Sequence, residues 1–196
     1  MTVKAGALLL AAGFSKRFGS SKLLAELPDG QSVFSHTLTR LRQSFSDVLV
    51  ITRPELTNRL TTSEAEIAAF DQAKCGMGAS LAFGIARVQQ MEWCSCLVCL
   101  ADMPFIKTET YTAIGAAAGS NRIVIPFYQD RPGNPVAFGR VFFDELRHLT
   151  GDTGGKAVVN RHAKAVIHLA VKDNAVLADI DTPRELQNLQ TRYSQV

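Results

Sequence analysis

Ala5-Gly6-Ala7-Leu8-Leu9-Leu10-Ala11-Ala12-Gly13-Phe14-Ser15-Lys16-Arg17-Phe18-Gly19-Ser20-Ser21-Lys22 is the stretch that decides the fold: an apolar run ends in a loop of small residues, two glycines and three cations. The apolar part, Ala5 to Phe14, is about half of the ~20 residues a membrane helix needs. Lys16 and Arg17 follow it directly, where a secretory signal would carry its neutral cleavage region, so it reads as a strand of a cytoplasmic protein. Because the run is continuous rather than alternating, the strand it predicts is covered on both faces.

The same pattern recurs outward from this stretch. Ala7 to Leu10, Val48 to Ile51, Leu97 to Leu100, Ile123 to Ile125 and Ala165 to Leu169 are short apolar runs predicted as strands of that doubly covered kind. Between them Val33 to Leu41, Leu81 to Val88, Thr110 to Ala118 and Val141 to Leu149 are predicted helices. Leu81, Ile85 and Val88 fall at i, i+4 and i+7, one stripe to set against a sheet. A last helix opens with Thr182-Pro183-Arg184-Glu185: a capping Thr, a proline at the first helical position and a Glu at the third. This alternation predicts a three-layer α/β domain with a mostly parallel sheet, in which ligands bind beyond the carboxyl ends of the strands.

Length and composition agree with one domain spanning residues 1–196: a chain of 196 residues buries most of its unfolded surface without disulfides or structural metal. With 46% hydrophobic and 20% charged residues it is no disordered chain. A net charge of +3 argues against a nucleic-acid partner, and any basic site must be local. Cys96 and Cys99 have C-x-x-C spacing, but a strand puts Cys94 and Cys96 on one face and Cys99 on the other. All four cysteines, Cys75 included, are therefore expected to be unpaired buried thiols. His36, His148, His162 and His168 show no metal-ligand spacing.

Chemistry concentrates in the loops after strands. In the first loop, small residues give backbone N–H groups room to approach a polyphosphate that Arg17 and Lys22 neutralise. The spacing matches neither the G-x-x-x-x-G-K-[ST] loop nor the G-x-G-x-x-G fingerprint of nicotinamide-dependent oxidoreductases. Leu100-Ala101-Asp102-Met103-Pro104 sets a carboxylate at a strand end, where it suits Mg²⁺, which takes oxygen ligands and keeps waters and phosphates. Asp179 and Asp181 share a face if extended; each is a candidate second ligand, and Asp181 is equally a candidate helix cap.

Leu10-Ala11-Ala12-Gly13-x-x-x-Arg17-x-Gly19-x-x-Lys22 resembles the signature loop of the nucleotidyltransferases that activate molybdenum cofactors, sugars and alcohols. Cys75-Gly76-Met77-Gly78-Ala79-Ser80-Leu81, Ala101-Asp102-Met103-Pro104, Arg131-Pro132-Gly133-Asn134-Pro135 and Gly151-Asp152-Thr153-Gly154-Gly155-Lys156 extend the resemblance, in order, to nearly the whole chain. The L-A-A-G form of the loop is most similar to the molybdenum cofactor cytidylyltransferase branch; the guanylyl-transferring branch usually has L-A-G-G.

The resemblance implies a Rossmann-like nucleotidyltransferase domain that transfers CMP from CTP to a molybdopterin-type cofactor. It implies that Leu10, Ala11, Ala12 and Gly13 hold base and ribose, that Arg17 and Lys22 grip the triphosphate, and that Asp102 binds Mg²⁺, or Mn²⁺ in its place, joined by Asp181. Gly78 and Ser80 match positions lining the base pocket, although Ser80 is also a candidate cap. Asn134, Asp152, Gly155 and Lys156 match positions facing the acceptor. Two motifs depart from the pattern, with Gly133-Asn134-Pro135 for G-H-P and Gly154-Gly155-Lys156 for G-A-R, and Lys lacks the bidentate fork of Arg. An apo-molybdenum hydroxylase is the implied recipient of the product. Competing readings are GTP-dependent guanylyl transfer, a sugar-phosphate nucleotidyltransferase, and a non-catalytic cofactor-binding chaperone.

Overall fold

The computed structural model describes residues 4–60, 62, 63 and 65–193. Strand β1 (Ala5–Ala11) lies between β2 (Val48–Thr52) and β4 (Ser95–Leu100), parallel to both, and β3 (Glu66–Ala69) extends the sheet beyond β2. On the other side β7 (Val136–Gly139) runs antiparallel between β4 and β5 (Ile123–Tyr128). Both β6 (Arg131–Pro132) and β8 (Val166–Ala170) pair with β5, so the order is β3-β2-β1-β4-β7-β5 with two partners at the last strand.

The continuous apolar runs are explained by two cores, one on each face of the sheet. Ala7, Leu9 and Ala11 of β1, Val48 and Val50 of β2, and Leu97 and Cys99 of β4 face one core. Leu8 and Leu10, Leu49 and Ile51, and Cys96 and Val98 face the other. The first core is closed by α1 (Val33–Arg42), α2 (Pro54–Thr57), α4 (Thr108–Ala117) and α7 (Pro183–Tyr193), through Phe34, Leu38, Leu56, Tyr111, Ile114 and Leu186. The second is closed by α3 (Met77–Val88), α5 (Phe143–Leu146) and α6 (Lys156–Arg161), through Leu81, Ile85, Val88, Phe143, Leu146 and Val158. The three layers are those the sequence predicts.

Side chains fix the helix ends. Ser32 Oγ accepts from Ser35 N at the start of α1, and Thr182 Oγ1 accepts from Glu185 N while Glu185 Oε2 accepts from Thr182 N at the start of α7. Thr182 is thus the cap and Asp181 is left to other contacts. Helix α3 starts at Met77, four residues before Leu81, after Gly76 at φ 103°, a left-handed backbone that glycine tolerates. Farther along, Gly84 lets α3 lie close to the sheet: a Cβ there would stand 2.8 Å from Leu8 and 3.0 Å from Ile51.

Three expectations are corrected. Strand β8 is not covered on both faces but is an edge strand, with His168 and Ala170 exposed. The span Val141 to Leu149 is not one helix: a 3-10 turn at Arg140–Phe142 precedes the short α5. Arg140 donates to the carbonyls of Gln89, Met91 and Trp93, which ties the first turn down and leaves Val141 facing solvent. Only Cys96 and Cys99 are buried, on opposite faces; Cys75 is exposed and Cys94, outside β4, is half-buried.

Candidate active site

The loop after β1 turns through Ser15, at φ 50°, and Gly19, at φ 79°. Phe18 N donates to Ser15 O and Lys22 N to Ser15 Oγ, so the loop is closed by its own bonds. The 3-10 turn Lys22–Leu24 follows, with Leu23 buried as its anchor. This aims the aliphatic stem of Lys22 inward, and only 8% of the residue is exposed.

The Lys22 ammonium meets three oxygens: Asp102 Oδ2 at 2.5 Å, Ile180 O at 2.6 Å and Asp181 Oδ1 at 3.4 Å. Arg17 Nη2 reaches Asp181 Oδ2 at 2.7 Å from a largely exposed position. The backbone holds the pieces in register, since Ala101 N donates to Leu10 O and Ile180 N to Asp102 O. Burial pushes the Asp102 carboxyl above its usual range, Lys22 pulls it back, and the nearby Asp179 adds to the rise. His36 Nδ1 bonds Pro104 O at 2.9 Å, buttressing the turn that presents Asp102.

These groups border a cleft of about 550 Å³ walled by Leu10 to Arg17 on one side and by Asp102, Asp179 and Asp181 on another. Ser80 and Met77 close it across from the loop. Ser80 is not the cap of α3; it is buried and donates to Gly76 O, while Asp152 Oδ1 accepts from Met77 N at 3.1 Å. Gly78 is not on the cleft wall: its N–H donates to Gly151 O at 2.7 Å, and it packs against Thr150 and Gly151. Lys74 also lines the cleft, just before α3, and no spacing in the sequence marks it.

A second cavity of about 880 Å³ adjoins the first, with Leu10, Met77, Leu100 and Asp152 common to both. Asn134, Asp152, Gly155 and Lys156 all line it, beside an apolar floor that includes Val98, Ile125, Phe127 and Phe138. Gly133 N donates to Pro126 O and Asn134 N to Val176 O, so the backbone at Asn134 is tied both to β5 and to the segment at Val176. The arrangement can hold two ligands end to end, with Arg17, Lys22, Asp102 and Asp181 on the first cleft, Lys156 on the second and Asp152 between them.

Among the described residues no group of three or more His, Cys, Asp or Glu side chains is placed to hold a metal ion. Asp102 and Asp181 form a pair, both within reach of one Lys22 ammonium. Two hard carboxylates around a cation suit Mg²⁺ or Mn²⁺, whose other positions are filled by waters and substrate phosphates. No helix among the described residues is long and apolar enough to cross a membrane.

A family model described as the MobA-like NTP transferase domain matches residues 7–166. The chain belongs to the MobA-like NTP transferase family. Among its relatives is the purine catabolism protein PucB of Bacillus subtilis, 28% identical over 199 residues that cover 95% of this chain and 96% of PucB. A probable molybdenum cofactor guanylyltransferase of a Geobacillus species is 29% identical over 108 residues, 54% of either chain. The crystal structure of Rv0371c from Mycobacterium tuberculosis superposes with a TM-score of 0.86 at 28% identity, covering 97% of this chain and all of Rv0371c. A second structure of Rv0371c, in complex with manganese, superposes with a TM-score of 0.82 at 26% identity over the same shares. The chain is thus a nucleotidyltransferase of the MobA-like family, related to molybdenum cofactor guanylyltransferase and PucB.

Proposed function

We propose that the chain transfers CMP from CTP to the terminal phosphate of a molybdopterin-type cofactor and releases pyrophosphate. The observation that carries this reading is the convergence of Arg17 and Lys22 from the loop after β1, Asp102 from the turn after β4 and Asp181 from just before α7, with a second cavity adjoining. In the transfer an oxygen of the acceptor phosphate bonds to the α-phosphorus, and the bond from that phosphorus to the bridging oxygen breaks. The electron pair leaves with pyrophosphate. A phosphate is already a nucleophile at neutral pH, so no side chain need remove a proton.

The residues therefore serve position and charge. Leu10 to Gly13 hold base and ribose through their backbone, Ser80 closes the pocket behind them, and Gly78 supports that wall from the side of Gly151. Arg17 and Lys22 stabilise the triphosphate and the charge gathering on the leaving pyrophosphate. Asp102 and Asp181 would hold Mg²⁺ or Mn²⁺, which supplies Lewis-acid polarisation of the phosphates when bound. Asn134, Asp152, Gly155 and Lys156 orient the acceptor, with Lys156 as the cation nearest to hand for its phosphate. The reaction belongs in the cytoplasm, with an apo-molybdenum hydroxylase as recipient of the product.

CTP is assigned from Ala12 in the L-A-A-G loop. GTP is the second reading, favoured by the relative named as a guanylyltransferase. Pyrophosphate release with molybdenum cofactor as acceptor, comparing CTP, GTP and ATP with and without Mg²⁺, tests both. The expected result is metal-dependent release that is fastest with CTP; equal or faster use of GTP removes the base assignment, and cofactor binding without release from any nucleotide removes the reaction.

A further inference from the structure

We propose that the exposed imidazole of His168, stacked on Phe127 in the lining of the larger cavity, is a specificity-determining contact for the acceptor, and that it takes a flat nitrogen heterocycle and not a sugar ring. The inference rests on the reading of this cavity as the acceptor's. It deepens that reading by naming the part of the acceptor that is recognised and the residues that recognise it.

Strand β8 runs parallel to β5 with His168 opposite Ile125, so His168 and Phe127 project from the same face of the sheet as diagonal neighbours. Their rings stack with centroids 4.2 Å apart and planes 25° from parallel. Phe127 is half-buried and His168 exposed, so the pair is anchored at one ring and open at the other. Among the described residues neither ring nitrogen of His168 is hydrogen-bonded, and both rings line the cavity of about 880 Å³. An open planar ring backed by a second one is a platform on which a third can stack.

The rest of the cavity divides by chemistry. Its floor on the sheet is apolar, built from Val98, Leu100, Ile125, Val136 and Phe138. The segment from Asp152 to Asn160 supplies polar groups, Thr153 and Lys156 among them, and Asn134 adds a further amide. A flat heterocycle matches both parts: its faces are apolar, and its edge carries N–H and C=O groups that the amides of Asn134 and Asn160 can pair. A sugar ring carries hydroxyls around its whole rim, and those turned to the floor would give up water with no partner in exchange. Lys156 takes the acceptor phosphate, so ring and anion are read by different residues.

The test is a titration of 6-carboxypterin, whose fluorescence stacking quenches, with the full chain in the absence of nucleotide and metal, so that neither the base assignment nor turnover enters. Wild type should quench the probe on binding, and glucose 1-phosphate should displace it only at concentrations well above that of the probe. His168→Ala should bind the probe about tenfold more weakly, the usual loss when one ring is removed from a stacked heterocycle. His168→Phe should bind as wild type does, because the ring and not its nitrogens makes the contact. The proposal is overturned if wild type does not bind the probe, if His168→Ala binds it as tightly as wild type, or if His168→Phe binds as weakly as His168→Ala. His168 is exposed on an edge strand and belongs to neither core, so its replacement leaves the packing in place. Should a variant not fold, the wild-type competition decides, because displacement by glucose 1-phosphate at equal or lower concentration also overturns the proposal. Failure of nucleotidyl transfer would show instead as absent pyrophosphate release with these binding results intact.

Discussion

Asp152 Oδ1 accepts a hydrogen bond from Met77 N at 3.1 Å, so the first turn of α3 is capped by a carboxylate from a loop 75 residues away. The bond joins the two cavities, because both residues line the cleft beyond β1 and the larger cavity beside it. Gly76 makes it feasible: a Cβ at that position would fall 2.4 Å from Asp152 Oδ1 and 2.5 Å from Gly151 O. Asp152→Ala is expected to release the wall between the sites. It should raise KM for nucleotide and acceptor together while costing about 1 kcal/mol of stability, as a lost cap does. Steady-state kinetics in both substrates, with a urea unfolding curve, checks this; a change in one KM alone would contradict it.

Lys22→Ala and Asp102→Asn are each expected to fold and to lose about a hundredfold or more in turnover, the usual effect of removing one charged contact from a closed site. Their cause is shared, so the double variant should lose little more than either single one. Pyrophosphate release by the three purified variants gives the comparison, and additive losses would separate the two roles.

His36 gives the fold a pH dependence whose sign follows from its surroundings. Burial lowers its pKa from 6.5, Arg40 lowers it further, and Asp29 and the bond to Pro104 O oppose them. The folded chain thus binds this proton less tightly than the unfolded one. Its stabilising contribution is complete above pH 6.5 and declines as pH falls through the lower folded value. Wild type should lose more stability between pH 7.5 and pH 5 than His36→Gln, read as the shift of the urea midpoint. Asp102, whose pKa is shifted the other way, is present in both chains and cancels from the comparison.

Thiol chemistry separates the four cysteines. Burial raises Cys96 and Cys99 far above their usual value, which leaves them protonated and inaccessible, whereas Cys75 is exposed. A disulfide reagent at pH 8 should modify Cys75 quickly, Cys94 more slowly, and Cys96 and Cys99 only after denaturation. Mass spectrometry of the modified peptides locates the sites, and rapid native labelling of Cys96 would contradict the packing of β4.

Strand β1, its loop and the α7 cap were legible because local chemistry determines them: an unbroken apolar run needs two cores, and Thr182 and Glu185 satisfy each other's backbone. Two strand ends meeting at one rim bring Lys22 and Asp102 to the same cleft, but their direct ion pair is not legible, because in the sequence Lys22 reads as a triphosphate contact and Asp102 as a metal ligand. Ile180 contributes a carbonyl oxygen, which no side chain announces. Strands β3, β6 and β7 were missed because they are short, and β7 reverses direction through pairings with β4 and β5 that local pattern does not encode. Lys74 and the true place of Gly78 depend on how α3 meets the loop at Gly151, a contact between distant segments.

The most direct measurement of CMP transfer is the mass of the product formed when the chain is supplied with CTP, Mg²⁺ and molybdenum cofactor. The expected product is a cofactor–CMP adduct joined through a phosphoanhydride, one pyrophosphate appearing for each adduct. Recovery of CTP unchanged beside unmodified cofactor, with the chain folded and both ligands bound, would contradict it.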